Sequence, residues 1–227
     1  MSIPECPLCQ SQHTTQHYQD KLRTYWCCSC CRLVFVPQAF HLSESEEHKI
    51  YDQHENDPSD EGYRHFLNRL MMPLLLALKD IAIEPPAKGL DFGSGPGPTL
   101  SLMLAQEGYQ MAIYDHFYAR HPEVLLQHYD FITSTEVWEH LSQPGKVIEK
   151  LFSCLKPNGI IGVMTKRIPE TSFANWHYIK DPTHITFFAD KTFEYLAEKY
   201  QCRLSLLSND VALLIRHAKN DMMNLHS

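Results

Sequence analysis

A short apolar run, Gly89-Leu90-Asp91-Phe92, passes directly into Gly93-Ser94-Gly95-Pro96-Gly97-Pro98-Thr99, and a helical pattern follows over residues 99–107. Glycines at alternate positions let the chain turn sharply and let a ligand approach the backbone closely. A strand, a tight glycine turn and a helix in that order point to an α/β fold whose ligand lies at the carboxyl ends of parallel strands. Three details restrict that ligand. Pro98 stands where a dinucleotide fingerprint needs its third glycine. Pro96 and Pro98 each remove an N–H that would cradle a phosphate. Asp91 ends the strand with a charge that repels a pyrophosphate and favours a cation. No Gly-Lys-Ser/Thr ending follows, which excludes a Walker loop.

The surrounding pattern alternates strand and helix. Strands are expected at 89–92, 109–114, 129–133 and 160–165, and helices at 99–107, 147–155 and 190–200, with a helical turn at 136–140. Such alternation implies a parallel sheet covered on both faces. The runs 203–207 and 211–216 are joined only by Ser208-Asn209-Asp210. So short a connection allows a hairpin and not a parallel crossover, so one antiparallel strand is expected at the end of the sheet. Asp115 closes the second strand, where a carboxylate can accept hydrogen bonds from both hydroxyls of a ribose; an ordinary turn aspartate is the plainer alternative. The ligand implied carries an adenosine and a positive charge but no phosphate. S-adenosylmethionine fits that description.

Six of the eight cysteines fall within the first 31 residues. Cys6-Pro7-Leu8-Cys9 is one knuckle, and Cys28-Ser29-Cys30-Cys31 supplies a second. That is the spacing of a four-thiolate zinc ribbon, a structural site because four thiolates leave no position for a substrate. Cys27 with Cys30 has the same internal spacing; Cys28 and Cys31 are preferred because the strand at 33–36 starts soon after Cys31. Reduced thiols without metal are the alternative. The chain divides into a ribbon-like module (1–38), a linker with cap helices (39–80) and the α/β domain (81–227). In the middle part Tyr63, Phe66, Leu67, Leu70, Met71, Leu74, Leu75 and Leu78 line one face of a helix that Pro73 kinks or restarts.

The ordered set Gly89-Leu90-Asp91-Phe92-Gly93-Ser94-Gly95-Pro96-Gly97, Asp115, Asp130-Phe131-Ile132, Leu155-Lys156-Pro157-Asn158-Gly159 and the closing hairpin resembles the class I S-adenosylmethionine-dependent methyltransferases. The resemblance covers residues 60–217. It implies a Rossmann-like, seven-stranded sheet with an antiparallel final strand. It also implies that Asp91, Gly93, Ser94, Gly95 and Gly97 face the amino-acid end of the cofactor, that Asp115 holds the ribose, and that residues 133–136, with Thr135 and Glu136, flank the sulfonium. The region containing Tyr51, His54, Asn56, Tyr63 and Arg64 often caps the site in this family, so Tyr63 or Tyr51 is expected to close over the methionine moiety. One departure stands out: residues 115–130 are too short for the usual intervening strand and helix, which leaves the adenine contacts unassigned.

Methyl transfer needs an aligned nucleophile and, for some acceptors, a base. Glu136 and His140 are four apart and would share a helix face, although Thr133-Ser134-Thr135-Glu136 also spells a capping box. The loop Trp176-His177-Tyr178-Ile179-Lys180-Asp181-Pro182-Thr183-His184 gathers polar groups after a buried strand. His177, His184 and His140 are therefore the candidate catalytic residues. A metal held by His177, Asp181 and His184 is a weaker alternative, because Pro182 breaks the spacing.

The expectation is a methyltransferase with a zinc-ribbon appendage acting on a small-molecule acceptor. Some sugar C-methyltransferases and some bacterial ribosomal-RNA methyltransferases join a similar cysteine-rich module to the same fold. RNA is disfavoured by a formal charge of −7, which four thiolates and one Zn²⁺ take to −9, although Lys21, Arg23 and Arg32 offer a local patch. A non-enzymatic binding module with a vestigial cofactor domain is the other alternative. No run approaches a membrane span and the first residues lack a secretory pattern, so a cytoplasmic protein is expected.

Overall fold

The computed structural model describes residues 3–53, 56–170 and 172–217; His54 lies outside them. The N-terminal strands β1 (Thr14–Gln19), β2 (Thr24–Cys28) and β3 (Val34–Phe35) form an antiparallel meander. Helices α1 (Glu44–Tyr51) and α2 (Glu61–Asp80) follow. Then come β4 (Lys88–Phe92), α3 (Thr99–Gln106), β5 (Gln110–Tyr114), β6 (Tyr129–Thr135), α4 (Pro144–Cys154) and β7 (Leu155–Met164). The chain ends with β8 (Thr186–Phe187), α5 (Asp190–Tyr200), β9 (Cys202–Leu207) and β10 (Val211–Arg216).

The larger sheet has the order β5-β4-β6-β7-β10-β9. β5, β4, β6 and β7 run parallel, while β10 is antiparallel to both β7 and β9. The closing hairpin therefore inserts its last strand beside β7, as the short 208–210 connection requires. The seven-strand expectation is corrected to six among the described residues. Residues 116–128 hold only a 3-10 turn at Pro122–Leu126 and one bridge, Asp115 to Ala119, so β5 forms the sheet edge. Residues 156–159 lie within β7, whose register against β6 shifts between Tyr129 and Phe131.

Helix α2 starts at Asp60, whose carboxylate accepts the N–H groups of Gly62 (2.7 Å) and Tyr63 (3.2 Å). It runs through Pro73 as one helix. Leu67, Leu70, Met71, Leu74 and Leu78 are buried on one sheet face with Met164 of β7 and Leu213 of β10. Each such burial contributes roughly 1.5–3 kcal/mol. On the opposite face, α4 and α5 bury Ile148, Leu151, Phe193 and Leu196.

The N-terminal segment does not stand apart. Cys6, Leu8, Cys28, Cys31 and Leu33 share the core formed by α4 and α5. The Gly145 N–H donates to Pro7 O (3.2 Å), and a Cβ at Gly145 would lie 2.4 Å from Leu8 O, so only glycine lets the knuckle sit on α4. β8 supplies a fourth strand to the small sheet, with Val34 opposite Phe187 and Phe35 opposite Thr186.

Arg23 completes this junction. Its turn is held by Asp20 Oδ1, which accepts the N–H groups of Leu22 and Arg23 at 2.7 Å each. The buried guanidinium donates to the carbonyls of Ile179, Asp181, Pro182 and His184. Arg23 is thus spent inside the fold and does not contribute to a surface basic patch. Arg23→Met leaves these carbonyls without their donor and should cost about 3 kcal/mol in urea unfolding. Hydrogen exchange should accelerate over residues 178–184. Arg23→Lys should recover little, because an ammonium cannot reach four divergent acceptors as a planar fork does. Unchanged protection of this loop would refute the assignment.

Candidate functional site

A cavity of about 700 Å³ opens at the carboxyl ends of β4, β5 and β6. Its floor is the glycine turn. Gly93 (φ +79°) and Gly95 (φ +65°) adopt the left-handed backbone that their lack of a side chain permits, and Cβ atoms there would strike Val137 and Asn56. Gly93, Ser94 and Gly95 line the cavity, whereas Gly97 packs beneath the backbone of Asn56 outside the lining.

Asp91 is 2% exposed and accepts a 2.8 Å hydrogen bond from Thr133 Oγ1. Burial raises its carboxyl to about 6, against the weaker pull of the Thr133 bond. The same Thr133 bond decides between two readings of residues 133–136: they continue β6 and make no capping box. Asp115 closes β5 and ties it to the glycine turn. Its Oδ2 accepts Gly95 N–H (2.9 Å), and its Oδ1 accepts those of Phe117 (2.8 Å) and Tyr118 (3.0 Å).

Beyond β6 the chain bends at Glu136, which holds a positive φ of 52° without being glycine. Its N–H is fixed by Met164 O at 2.7 Å. Such strain persists only where the surroundings impose it. Burial first, then the Glu139 charge, raises the Glu136 carboxyl to about 8. Glu136 and His140 do not share a helix face, since only a 3-10 turn at Trp138–His140 follows; both nevertheless line the cavity with Thr135.

The far wall comes from the loop that Arg23 holds. His184 and Asp181 line the cavity, and the His184 ring lies 4.8 Å from that of His140. Burial lowers the His184 pKa, so the imidazole is neutral at pH 7. His177 is exposed, contacts Lys166 Nζ at 2.9 Å and is not part of the lining. Tyr63 and Tyr51 line the near side, and burial pushes the Tyr63 hydroxyl up to about 12. α1 closes over this edge through ring contacts of His48 (5.0 Å) and Tyr51 (5.6 Å) with Phe117.

Among the described residues five carboxylates line the cavity, those of Glu47, Asp91, Asp115, Glu136 and Asp181, and no lysine or arginine does. Residues 63–206 match the methyltransferase-domain family. This chain belongs to that family. The match thus begins within α2 and ends within β9, leaving the cysteine-rich segment outside it. Among solved structures, an O-methyltransferase family protein from Burkholderia thailandensis shares the fold with a TM-score of 0.50 at 10% identity, over 80% of this chain and 64% of its own. The plantazolicin methyltransferase BpumL gives 0.49 at 15% identity over 79% of this chain and 93% of its own. A chain from the complex of the Haloferax volcanii Trm112 methyltransferase activator with a methyltransferase gives 0.47 at 10% identity, over 71% and 95%. At 10% identity the likeness to the Burkholderia protein is one of fold alone. No curated protein matches the sequence.

At the edge of the methyltransferase domain, the Sγ atoms of Cys6 and Cys31 lie 3.5 Å apart, as do those of Cys9 and Cys28. All four lie within 4.8 Å of one another, and no disulfide joins them. The hydrogen bond from Cys31 lowers the Cys6 thiol to about 6, while burial raises Cys9 to about 12. Cys27 turns into the other core, and Cys30 is exposed. Two groups at the methyltransferase cavity escaped sequence reasoning. Phe117 belongs to the irregular 116–128 segment, and Glu139 lies fully buried behind the histidines; only the pairing Glu139-His140 offered a cue.

The raised Asp91 carboxyl has a stability consequence. Below about pH 3 the folded and unfolded chains both hold its proton. As pH rises from about 3 to 6 the unfolded chain releases it first, so the folded state is penalised increasingly, and the penalty is constant above that range. Asp91→Asn should therefore stabilise the unliganded protein by on the order of 3 kcal/mol at pH 7 and by almost nothing at pH 3. Denaturant melts at both pH values test this; equal effects at the two would contradict it.

Proposed function

We propose that this chain transfers a methyl group from S-adenosylmethionine to a small-molecule acceptor, and that Cys6, Cys9, Cys28 and Cys31 hold a structural zinc ion. The observation that carries the first part is the cavity's charge. Among the described residues, five lining carboxylates without a lysine or arginine are a poor receptacle for a pyrophosphate and a good one for a cationic nucleoside. The cofactor supplies, when bound, a methyl group already activated by its sulfonium. What remains for the protein is alignment and proton removal.

In this reading Asp91 and the turn from Gly93 to Gly97 receive the amino-acid end, with Gly97 acting by close packing beneath Asn56. Asp115 accepts from the ribose, Thr135 and Glu136 flank the sulfonium, and Tyr63 closes over the methionine chain. Phe117, already in contact with α1, offers a face to the adenine. His140 and His184 stand on the acceptor side, where their imidazoles can position the acceptor. His177, outside the lining, has no part in this arrangement. A cavity of about 700 Å³ has room for a cofactor together with a small acceptor. The negative net charge and the burial of Arg23 both weigh against a nucleic-acid substrate.

Calorimetry on the full chain tests the cofactor. S-adenosylmethionine and its demethylated product should each bind with about one equivalent, and Asp115→Ala should weaken both by about tenfold or more, the loss of charge-assisted hydrogen bonds. Binding of NAD or a nucleoside triphosphate in their place would overturn the proposal.

The four sulfurs fit zinc, since a closed set of thiolates in a tetrahedral cluster is its preferred structural site. Elemental analysis should find a zinc ion that Cys6→Ser or Cys28→Ser removes and that Cys27→Ser and Cys30→Ser retain. Retention in Cys28→Ser with loss in Cys27→Ser would establish the other register.

A further inference from the structure

Glu139 is fully buried, and its Oε2 has no hydrogen-bond partner among the described residues. Oε1 accepts the Tyr178 hydroxyl. An orphaned carboxylate oxygen is costly at such depth unless a cation or a proton meets it. Beside it lie two imidazoles: one ligand atom each from Glu139, His140 and His184 lie within 4.8 Å of one another.

Both rings are oriented by the backbone. His140 Nδ1 hydrogen-bonds Thr183 O at 3.1 Å, and His184 Nδ1 hydrogen-bonds Tyr178 O at 2.8 Å. A carbonyl partner requires Nδ1 to carry the proton, which makes Nε2 the lone-pair nitrogen in each neutral ring. This is the outer-sphere arrangement found around metal-binding histidines, where a carbonyl fixes the tautomer and the opposite nitrogen ligates. Asp181 Oδ2 lies 3.8 Å from His184 Nε2, outside the three-residue group.

We propose that Glu139, His140 and His184 form a second metal site, binding a divalent first-row transition cation at the acceptor end of the cavity. Two imidazoles and one carboxylate suit such ions better than Mg²⁺ or Ca²⁺, which take all-oxygen sets. Ligand distances of about 2.0–2.2 Å place neighbouring donors about 3–4 Å apart, so modest side-chain rotation closes the site. The site is distinct from the cysteine cluster in donor type: hard and borderline ligands here, soft thiolates there. Three protein ligands leave coordination positions open. Because His140 and His184 both line the cavity, those positions face the space where an acceptor oxygen would lie. The metal site itself does not depend on the choice of methyl donor.

Mn²⁺ is the probe, because it avoids thiolate sites and its free aquo ion gives a six-line paramagnetic resonance signal that is lost on binding. The full chain is first treated briefly with chelator, and its zinc content is counted. Titration should then show about one bound Mn²⁺ per chain, unaffected by Cys30→Ser. Glu139→Gln, which keeps shape and removes charge, and His184→Gln should each weaken binding by more than about tenfold. His140→Gln, at a partly exposed position that tolerates change, decides the matter if the buried variants fail to fold. An undiminished free Mn²⁺ signal with the wild-type chain, or wild-type affinity in folded His140→Gln, would overturn the proposal.

Discussion

Carboxyl groups held out of water at the carboxyl edge of the sheet are the constraint around which the site is arranged. Asp91 is sealed beneath the glycine turn with one side-chain hydrogen bond, and Glu136 sits at a strained bend beside it. Among the described residues no lysine or arginine lines the cavity beside them, although Lys166 and Arg69 act on Glu136 from beyond the lining. Burying carboxylates in this way raises their pKa values and lowers the stability of the empty protein. A cationic ligand reverses that cost, so affinity and selectivity for positive charge arise from one arrangement. Asp115 differs because backbone N–H groups already satisfy it; its role in the empty protein is to hold β5 against the glycine turn.

The hydrophobic layers make this edge rigid enough to hold strain. α2 covers one face of β7 and β10, and α4 with α5 covers the other. The central parallel strands β4 and β6 are buried along most of their length, as expected for parallel strands covered on both sides. Loops at their carboxyl ends can then carry uncompensated groups, since the elements that position them gain their stability elsewhere.

Much of the fold was legible because its signals are local. The glycine turn, the helix after it and the 208–210 hairpin each depend on a few neighbouring residues, and the apolar stripe of α2 predicts its buried face. Even the loss of a strand was foreshadowed by the short 115–130 interval, although the family resemblance argued for seven strands. What escaped the sequence depends on distant partners. Thr133 reads as a helix cap until Asp91 is known to lie across from it. Arg23 reads as surface charge until the carbonyls of residues 179–184 surround it. His177 and His184 look equivalent in one loop, yet the chain's path turns one toward Lys166 at the surface and the other into the cavity. Pairing of β8 with β3 joins segments about 150 residues apart, and no periodicity encodes such a contact.

That last contact explains why a cysteine-rich segment is attached to this domain at all. Four elements meet at the loop bearing Asp181 and His184: β3 through the strand pairing, the β1–β2 turn through Arg23, Tyr178 through Glu139, and the cavity wall itself. A loop of this kind, rich in 3-10 turns and short of regular backbone pairing, would on its own be mobile. The guanidinium substitutes for a strand by accepting no bonds and donating to several carbonyls at once, which only a buried arginine can do. The cysteine knuckles pack on α4 and α5, so anything that orders the four sulfurs also fixes where Arg23 can reach. Order in the N-terminal segment is thereby transmitted to His184 through backbone carbonyls, without any residue of that segment lining the cavity.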